Sequence, residues 1–315
     1  MTKFYHDDPA WADIEPIPQD DTGHPLVAIA YTAEYSEAMG YLRAVMARNE
    51  HSERVLALTE HVIGINPAHY TVWLYRARTL EHLSIPPSDE LRWLNPIALS
   101  HLKNYQIWNH RQAIVDRRDS CEGEADFIAQ MLDQDAKNYH VWSYRQWMVE
   151  RFGLWRDVGE VAFAEEMIGR DVRNNSAWNH RFFVLFGGRK KGQAGEGEEE
   201  GKEEEEKEKE KELVQREIEY AKQAIRQAPQ SQSAWDYLRA VLRHAHLPIS
   251  TIAGFANEYN DVSPPRSLHA LEAQLEIYAE QNKVDEARST LEALAEFDPV
   301  RKPYWTYRQK ELVVA

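Results

Sequence analysis

Four tryptophans, Trp73, Trp108, Trp142 and Trp178, stand 35, 34 and 36 residues apart, and each sits in a variant of one short phrase. The fullest version is Lys103-Asn104-Tyr105-Gln106-Ile107-Trp108-Asn109-His110-Arg111-Gln112; the next is Lys137-Asn138-Tyr139-His140-Val141-Trp142-Ser143-Tyr144-Arg145-Gln146. Looser copies run from His69 to Arg76 and from Asn174 to Arg181. Self-similarity at this period is the mark of stacked helical hairpins, each too small to bury its own apolar face and completed by its neighbours.

Apolar spacing of three and four predicts a lead helix from about Ala30 to Arg48. Pairs follow at 52–65 and 70–82, 90–101 and 105–118, 123–133 and 139–152, and 156–171 and 175–187. Pro96 should kink or interrupt the helix that contains it, because it lacks an N–H and crowds the preceding turn. Asn104, Asn138 and Asn174 each precede a second helix, where an Asn side chain caps free backbone N–H groups; His69 fills that place in the first copy. Tyr105, Trp108 and Arg111 are spaced three apart, as are Tyr139, Trp142 and Arg145, so each trio forms one slanted stripe. Recurrence in copies that otherwise differ assigns the Trp and Arg to the scaffold. Trp should pack between helices, and Arg should pair with a carboxylate of a neighbouring repeat.

The pattern breaks after Phe186. From Gly187 to Glu212 the only apolar side chain is Ala194, and this stretch cannot bury a core. Its last part could form a solvated helix leading into Leu213. Removing about 22 residues restores the period between Trp178 and Trp235. Trp235 and Trp305 are 70 apart, two periods, and the intervening copy without a Trp should centre near Ala270. The copy at Lys302–Arg308 reads as a capping unit. The expected fold is all-α: a right-handed superhelix, or crescent, of about seven tetratricopeptide-like hairpins over 29–315, with a charged insert at 190–212. Before it lies an arm over 1–28, punctuated by Pro9, Pro16, Pro18 and Pro25, whose Tyr5 and Trp11 should lie against a surface.

Composition narrows the function. A formal net charge of -15 makes the surface a poor non-specific partner for nucleic acid or anionic lipid. Cys121, the sole cysteine, forms no intramolecular disulfide and has no nucleophile signature around it. No window approaches the roughly 20 apolar residues of a membrane span, and the N-terminus lacks the basic start and apolar run of a secretion signal. A soluble cytoplasmic protein is expected. The sequence contains no His-Glu-x-x-His, Cys-x-x-Cys, phosphate-binding glycine loop or Gly-x-Ser-x-Gly. His110 and His180 occupy corresponding repeat positions, which points to packing, and His244 and His246 would face different sides of a helix.

The informative positions are those where the copies differ. Lys-Asn-Tyr occurs only at 103–105 and 137–139, followed by Gln106 in one copy and His140 in the other. A cation at a helix N-terminus is unfavourable by about 0.3–1 kcal/mol. Helix-start N–H groups joined by Lys, Tyr hydroxyls and an imidazole suit an anion such as phosphate. Ordinary solvated lysines beside capping asparagines would give the same spacing, and spacing does not choose between Lys103 and Lys137. On spacing alone this is a helical-repeat binding protein or half of an enzyme.

An ordered set of segments carries a more specific resemblance. It comprises Trp11 to Gln19, Tyr41 to Val45 with Ser52-Glu53-Arg54, Asn66 to Trp73, Lys103 to Gln106, and Asn138-Tyr139-His140. Over nearly the whole chain these resemble the alpha subunit of protein farnesyltransferase and geranylgeranyltransferase type I. The resemblance implies an obligate heterodimer, with the crescent wrapping a beta subunit that holds a catalytic Zn2+ and most of the isoprenoid pocket. Mg2+ would assist the farnesyl reaction, and this chain would hold no metal. The reaction implied is transfer of farnesyl or geranylgeranyl from its diphosphate to the cysteine of a C-terminal CaaX sequence, as on Ras- and Rho-type GTPases. By position, Lys103 would be the catalytic residue, contacting the diphosphate. Tyr105, Asn138, Tyr139 and His140 would lie beside it, Gln106 would bind the peptide carboxylate, and Tyr70 would line the peptide path. Departures are the acidic insert, the sixth copy without Trp, and His69 for the usual Asn. Two alternatives are the alpha subunit of Rab geranylgeranyltransferase, which fits Lys103 to Gln106 less well, and a non-catalytic scaffold, which would need no Lys or Tyr at those helix starts.

Overall fold

The computed structural model describes residues 5–20, 23, 27, 29–188, 200–260 and 267–312. Among them the only regular elements are helical, and the chain divides into two compact units, Met1–Phe152 and Gly153–Ala315. In the first unit, α1 (Ala33–Ala47) precedes three hairpins: α2 (Glu53–Ile65) with α3 (Tyr70–His82), α4 (Pro87–Ser100) with α5 (Tyr105–Arg118), and α6 (Glu124–Gln134) with α7 (Tyr139–Phe152). In the second are four: α8 (Val158–Arg170) with α9 (Asn175–Phe186), α10 (Glu200–Gln227) with α11 (Gln232–His244), α12 (Ala253–Asn260) with α13 (Leu268–Glu280), and α14 (Val284–Phe297) with α15 (Lys302–Glu311). The seven expected hairpins are present.

The turns explain the regularity. Asn104 Oδ1 accepts the N–H groups of Gln106 (2.8 Å) and Ile107 (3.2 Å), capping α5. Its amide donates back to the Pro67 carbonyl at 2.9 Å. Asn138 repeats the arrangement, capping α7 through His140 and Val141 while donating to the Leu102 carbonyl at 3.0 Å. One side chain thus satisfies a helix start, worth about 1 kcal/mol, and fastens it to the preceding hairpin. His69 makes no such cap, and its Nδ1 is buried without a hydrogen-bond partner.

Between turns and core lies a repeated ionic clamp. Arg76 donates both Nε and a terminal nitrogen to Glu90, each at 2.7 Å, across two hairpins. Arg111 does the same to Glu124 at 2.8 and 3.1 Å, and Arg181 to Glu217 at 2.6 and 2.9 Å. Each guanidinium also stacks on a ring one turn beyond its carboxylate: Trp93 at 3.5 Å, Phe127 at 3.4 Å and Tyr220 at 3.9 Å. The carboxylate oxygen that takes each arginine Nε also meets a side chain of its own hairpin. Glu90 meets His110 Nε2 at 2.7 Å, while Glu124 accepts from Tyr144 and Glu217 from Tyr237, both at 2.7 Å. Arginine is suited to this position because a planar fork matches a carboxylate and stacks on a ring at once. Burial alone would raise the Glu90 carboxyl, but hydrogen bonds from His110 and Arg76 and their charges outweigh it and hold it below the ordinary range.

Three local expectations need revision. Helix α4 runs uninterrupted through Pro96. Pro96 and Arg92, whose carbonyl loses its helical donor, are both on the exposed side, where water can serve that carbonyl. In the copy without Trp, the equivalent place, three residues into α13, is taken by buried Leu271, one residue beyond the expected centre. Leu271 packs with Leu291, Leu294 and Trp305. Of the charged run 190–212, residues 190–199 lie outside the described residues; Glu200 to Glu212 is the first part of α10. Glu210 there accepts from Arg156 at 2.6 Å, so this end is attached and not merely solvated.

Of the arm, residues 1–4, 21, 22, 24–26 and 28 lie outside the described residues. The remainder forms two short 3-10 turns, Tyr5–Asp7 and Pro9–Trp11, and buries Trp11 and Ile14. Arg54 holds it, donating to Asp13 (2.7 and 3.0 Å), Glu50 (2.7 and 2.8 Å) and the Ala10 carbonyl (2.6 Å). Gly40 permits the approach: a Cβ there would meet Pro16 Cβ at 3.2 Å.

Candidate functional site

The first turns of α5 and α7 are adjacent because Asn138 ties the start of α7 to Leu102, the residue before Lys103. This juxtaposition brings three of the singled-out side chains into contact. The His140 ring stands edge-on to Tyr105, centroids 4.3 Å apart, and edge-on to Tyr139 at 5.6 Å. Both tyrosines are large exposed aromatics, at 68% and 71% of their surface, with their rings available to a ligand or partner. Burial holds the His140 imidazole below its ordinary value. At neutral pH it is therefore uncharged, with one N–H to donate and one nitrogen to accept.

Lys103 is exposed in the turn before α5, and among the described residues no carboxylate pairs with it. Asn138 is only 3% exposed and is used up by its cap and its tie, so it acts beneath this surface. Gln106 lies half-buried in the first turn of α5, its N–H bound by Asn104 and its side-chain amide without a protein hydrogen bond among the described residues. Tyr70 occupies the corresponding place on α3, exposed, its only ring neighbour among the described residues being His69 at 6.3 Å. It does not join the Tyr105–His140–Tyr139 group. The arrangement is a shallow edge that holds Lys103, which has no carboxylate partner among the described residues, with a neutral imidazole and two aromatic walls. A cation and exposed aromatic rings on one edge are chemically suited to an anion with an apolar attachment.

The carboxylates and rings of the clamp were not singled out in advance, although a signal for them exists. Glu90-x-x-Trp93, Glu124-x-x-Phe127, Glu160-x-x-Phe163 and Glu217-x-x-Tyr220 place one acid and one ring a helical turn apart in the first helices of the second to fifth hairpins.

Comparison with known proteins gives this edge its context. The protein prenyltransferase alpha subunit repeat matches residues 52–83, 87–118, 121–152, 158–187 and 214–245, the first five hairpins. The protein farnesyltransferase/geranylgeranyltransferase type-1 subunit alpha of Candida albicans is 36% identical over 318 residues, covering 96% of this chain and 97% of that one. The chain belongs to the protein prenyltransferase alpha subunit family. Its counterpart in Dictyostelium discoideum is 33% identical over 317 residues, covering 95% of this prenyltransferase alpha subunit and 91% of its relative. Among solved structures, a chain of Candida albicans protein geranylgeranyltransferase-I complexed with GGPP superposes with a TM-score of 0.83 at 35% identity, covering 96% of this chain and 98% of that one.

Proposed function

We propose that this chain is the alpha half of a heterodimeric enzyme that moves a farnesyl or geranylgeranyl group from its diphosphate to the cysteine of a C-terminal CaaX sequence, in the cytoplasm. The observation that carries the proposal is the unpaired Lys103 beside the Tyr105–His140–Tyr139 edge, on a chain similar over its length to alpha subunits of that type. As the carbon–oxygen bond to diphosphate breaks, negative charge grows on the departing oxygens. Lys103 and the positive end of the α5 dipole would stabilise that charge more than the charge of the bound ground state, which lowers the barrier. His140, neutral, would donate its ring N–H to the same group, and Tyr105 and Tyr139 would hold the imidazole between them. Asn138 would set the register of both helix starts. Gln106, with its amide unused, would take the terminal carboxylate of the protein substrate, and Tyr70 would wall the peptide path. CaaX-terminated GTPases of the Ras and Rho type are the expected substrates.

The nucleophile would come from the substrate and its activation from the partner. Among the described residues no group of three or more His, Cys, Asp or Glu side chains is arranged to hold a metal ion. By the family resemblance we assign the zinc that would activate the substrate thiolate to the beta subunit, and any Mg2+ to the bound diphosphate itself. No described helix is long and apolar enough to cross a membrane.

The test is Lys103→Ala in the complex with a beta subunit. Losing one donor to a developing anion typically costs about 2.7–4 kcal/mol of barrier, roughly 10²–10³ in rate. Single-turnover transfer from bound isoprenoid diphosphate should slow by that factor while the one-to-one complex still forms. Unchanged single-turnover rates would refute the assignment.

A further inference from the structure

In three of the first five hairpins the turn contains one peptide unit held at both ends. In the first, third and fourth hairpins its N–H is taken by the side chain two residues earlier. Ala68 donates to Asn66 Oδ1 (3.2 Å), Lys137 to Asp135 (3.3 Å) and Arg173 to Asp171 (2.9 Å). Its carbonyl accepts the tryptophan indole N–H six residues later. Trp73 donates to Pro67 at 2.8 Å, Trp142 to Ala136 at 3.0 Å and Trp178 to Val172 at 2.9 Å. The fifth hairpin, with Ala228 in place of the acceptor residue, still keeps Trp235 on Pro229 at 2.9 Å.

The Leu102–Lys103 unit of the second hairpin differs at both ends. His101 stands where Asn66, Asp135 and Asp171 stand, and the Lys103 N–H has no acceptor among the described residues. Trp108 is 5% exposed, yet its indole nitrogen is buried without a hydrogen-bond partner. The Leu102 carbonyl keeps only Asn138, although Pro67 in the same place accepts both Trp73 and Asn104. The backbone shows the difference too, with ψ of 56° at His101 against 83°, 88° and 101° at Asn66, Asp135 and Asp171. An unpaired buried donor carries its full desolvation cost, so this turn is set in a state that a small rotation would improve. A peptide unit is rigid and planar, with N–H and C=O pointing opposite ways, so whatever orients one end orients the other.

We propose that the ligand completes this peptide unit: an anionic oxygen of the diphosphate takes the Lys103 main-chain N–H, and the same rotation seats the Leu102 carbonyl on the Trp108 indole. The inference rests on the diphosphate reading above and deepens it. Lys103 then supplies two donors, its ammonium and its main-chain N–H, whereas the main-chain N–H of Lys137 is already consumed by Asp135. That asymmetry selects Lys103 over Lys137, which spacing left open. His101 is a positioning residue by what it withholds, since an Asn or Asp there would capture the N–H internally. Trp108 is a positioning residue because its indole waits at the other end of the unit.

The experiment uses the heterodimer and two probes, inorganic diphosphate and farnesyl diphosphate, titrated calorimetrically, with the unliganded Tm of each variant. His101→Asn should raise the unliganded Tm and weaken both probes by roughly tenfold, the worth of one hydrogen bond to a charged group. Trp108→Phe loses buried ring area but no hydrogen bond, so it should lower the unliganded Tm less than Trp142→Phe does, and weaken both probes by about fivefold. Trp142→Phe, which removes a bond already made, should lower that Tm. With 5-fluorotryptophan incorporated, the Trp108 resonance should shift when inorganic diphosphate is added. Unchanged affinity in both His101→Asn and Trp108→Phe, or a Trp108 resonance that does not move, overturns the inference. Lys103→Ala separates the two levels. If it weakens the probes while the other variants do not, only the peptide-unit inference fails; if it leaves them unchanged, the diphosphate reading fails as well.

Discussion

Replacing Arg111 with Met should damage the fold more than any surface change, and the structure allows the cost to be apportioned. The substitution removes two bonds to Glu124, one to Asn95 at 2.8 Å, and the stacking on Phe127. It leaves a carboxylate that is 2% exposed with one hydroxyl donor, Tyr144, and a more distant Arg118 nitrogen at 3.6 Å. Removing one member of a buried pair costs about 3–5 kcal/mol, because the remaining charge is stranded. In a unit of this size each kcal/mol moves Tm by about 2–4 °C, so Arg111→Met should melt roughly 6–20 °C lower. Adding Glu124→Gln removes the stranded charge while keeping an acceptor for Tyr144, and should recover most of the loss. Far-UV circular dichroism melts of the purified wild type, both single variants and the double complete the cycle. A single variant within 2 °C or so of wild type, or a double no better than Arg111→Met, would refute the claim that Arg111 and Glu124 stabilise the stack as a pair.

Three further outcomes follow from the same geometry. The folded Glu90 carboxyl lies below its unfolded value, so its contribution is complete above the ordinary carboxylate range and is lost as pH falls through the folded value. Tm measured against pH should drop on the acid side in wild type and less steeply in Glu90→Gln. Removing residues 190–203 should leave assembly and transfer activity near normal, whereas extending the deletion through Glu212 takes away the partner of Arg156 and should lower Tm by a few degrees. His140→Phe preserves the ring edge against Tyr105 but not the ring N–H, so Tm should hold while diphosphate affinity in the heterodimer falls by about fivefold; equal affinity would remove His140 from the site.

The hairpins were legible because their causes are local. A 34–36-residue period, an Asn before three of the second helices and a stripe of Tyr, Trp and Arg all act within a few turns of chain, and α3, α5 and α7 begin where those signals place them. Pro96 was misleading because the rule against interior proline assumes a carbonyl with no other recourse, and only burial reveals that this one faces water. The site was partly legible. Lys103, Tyr105 and His140 stood out as departures from the repeat, but their grouping depends on Asn138 reaching 36 residues back to Leu102.

The amino-acid sequence alone determined the fold class, the number of hairpins and the residues where the repeat carries something besides scaffold. Only the tertiary structure decided which carboxylate each arginine holds. The separations are 14 residues for Arg76–Glu90, 13 for Arg111–Glu124 and 36 for Arg181–Glu217. Loops between hairpins lengthen freely at little free-energy cost, so sequence distance does not identify a partner that packing sets in space. The unequal standing of Lys103 and Lys137 begins locally, with His101 two residues before one and Asp135 two residues before the other; only the fold shows its other end, a Trp108 indole buried without a partner where Trp142 reaches the Ala136 carbonyl.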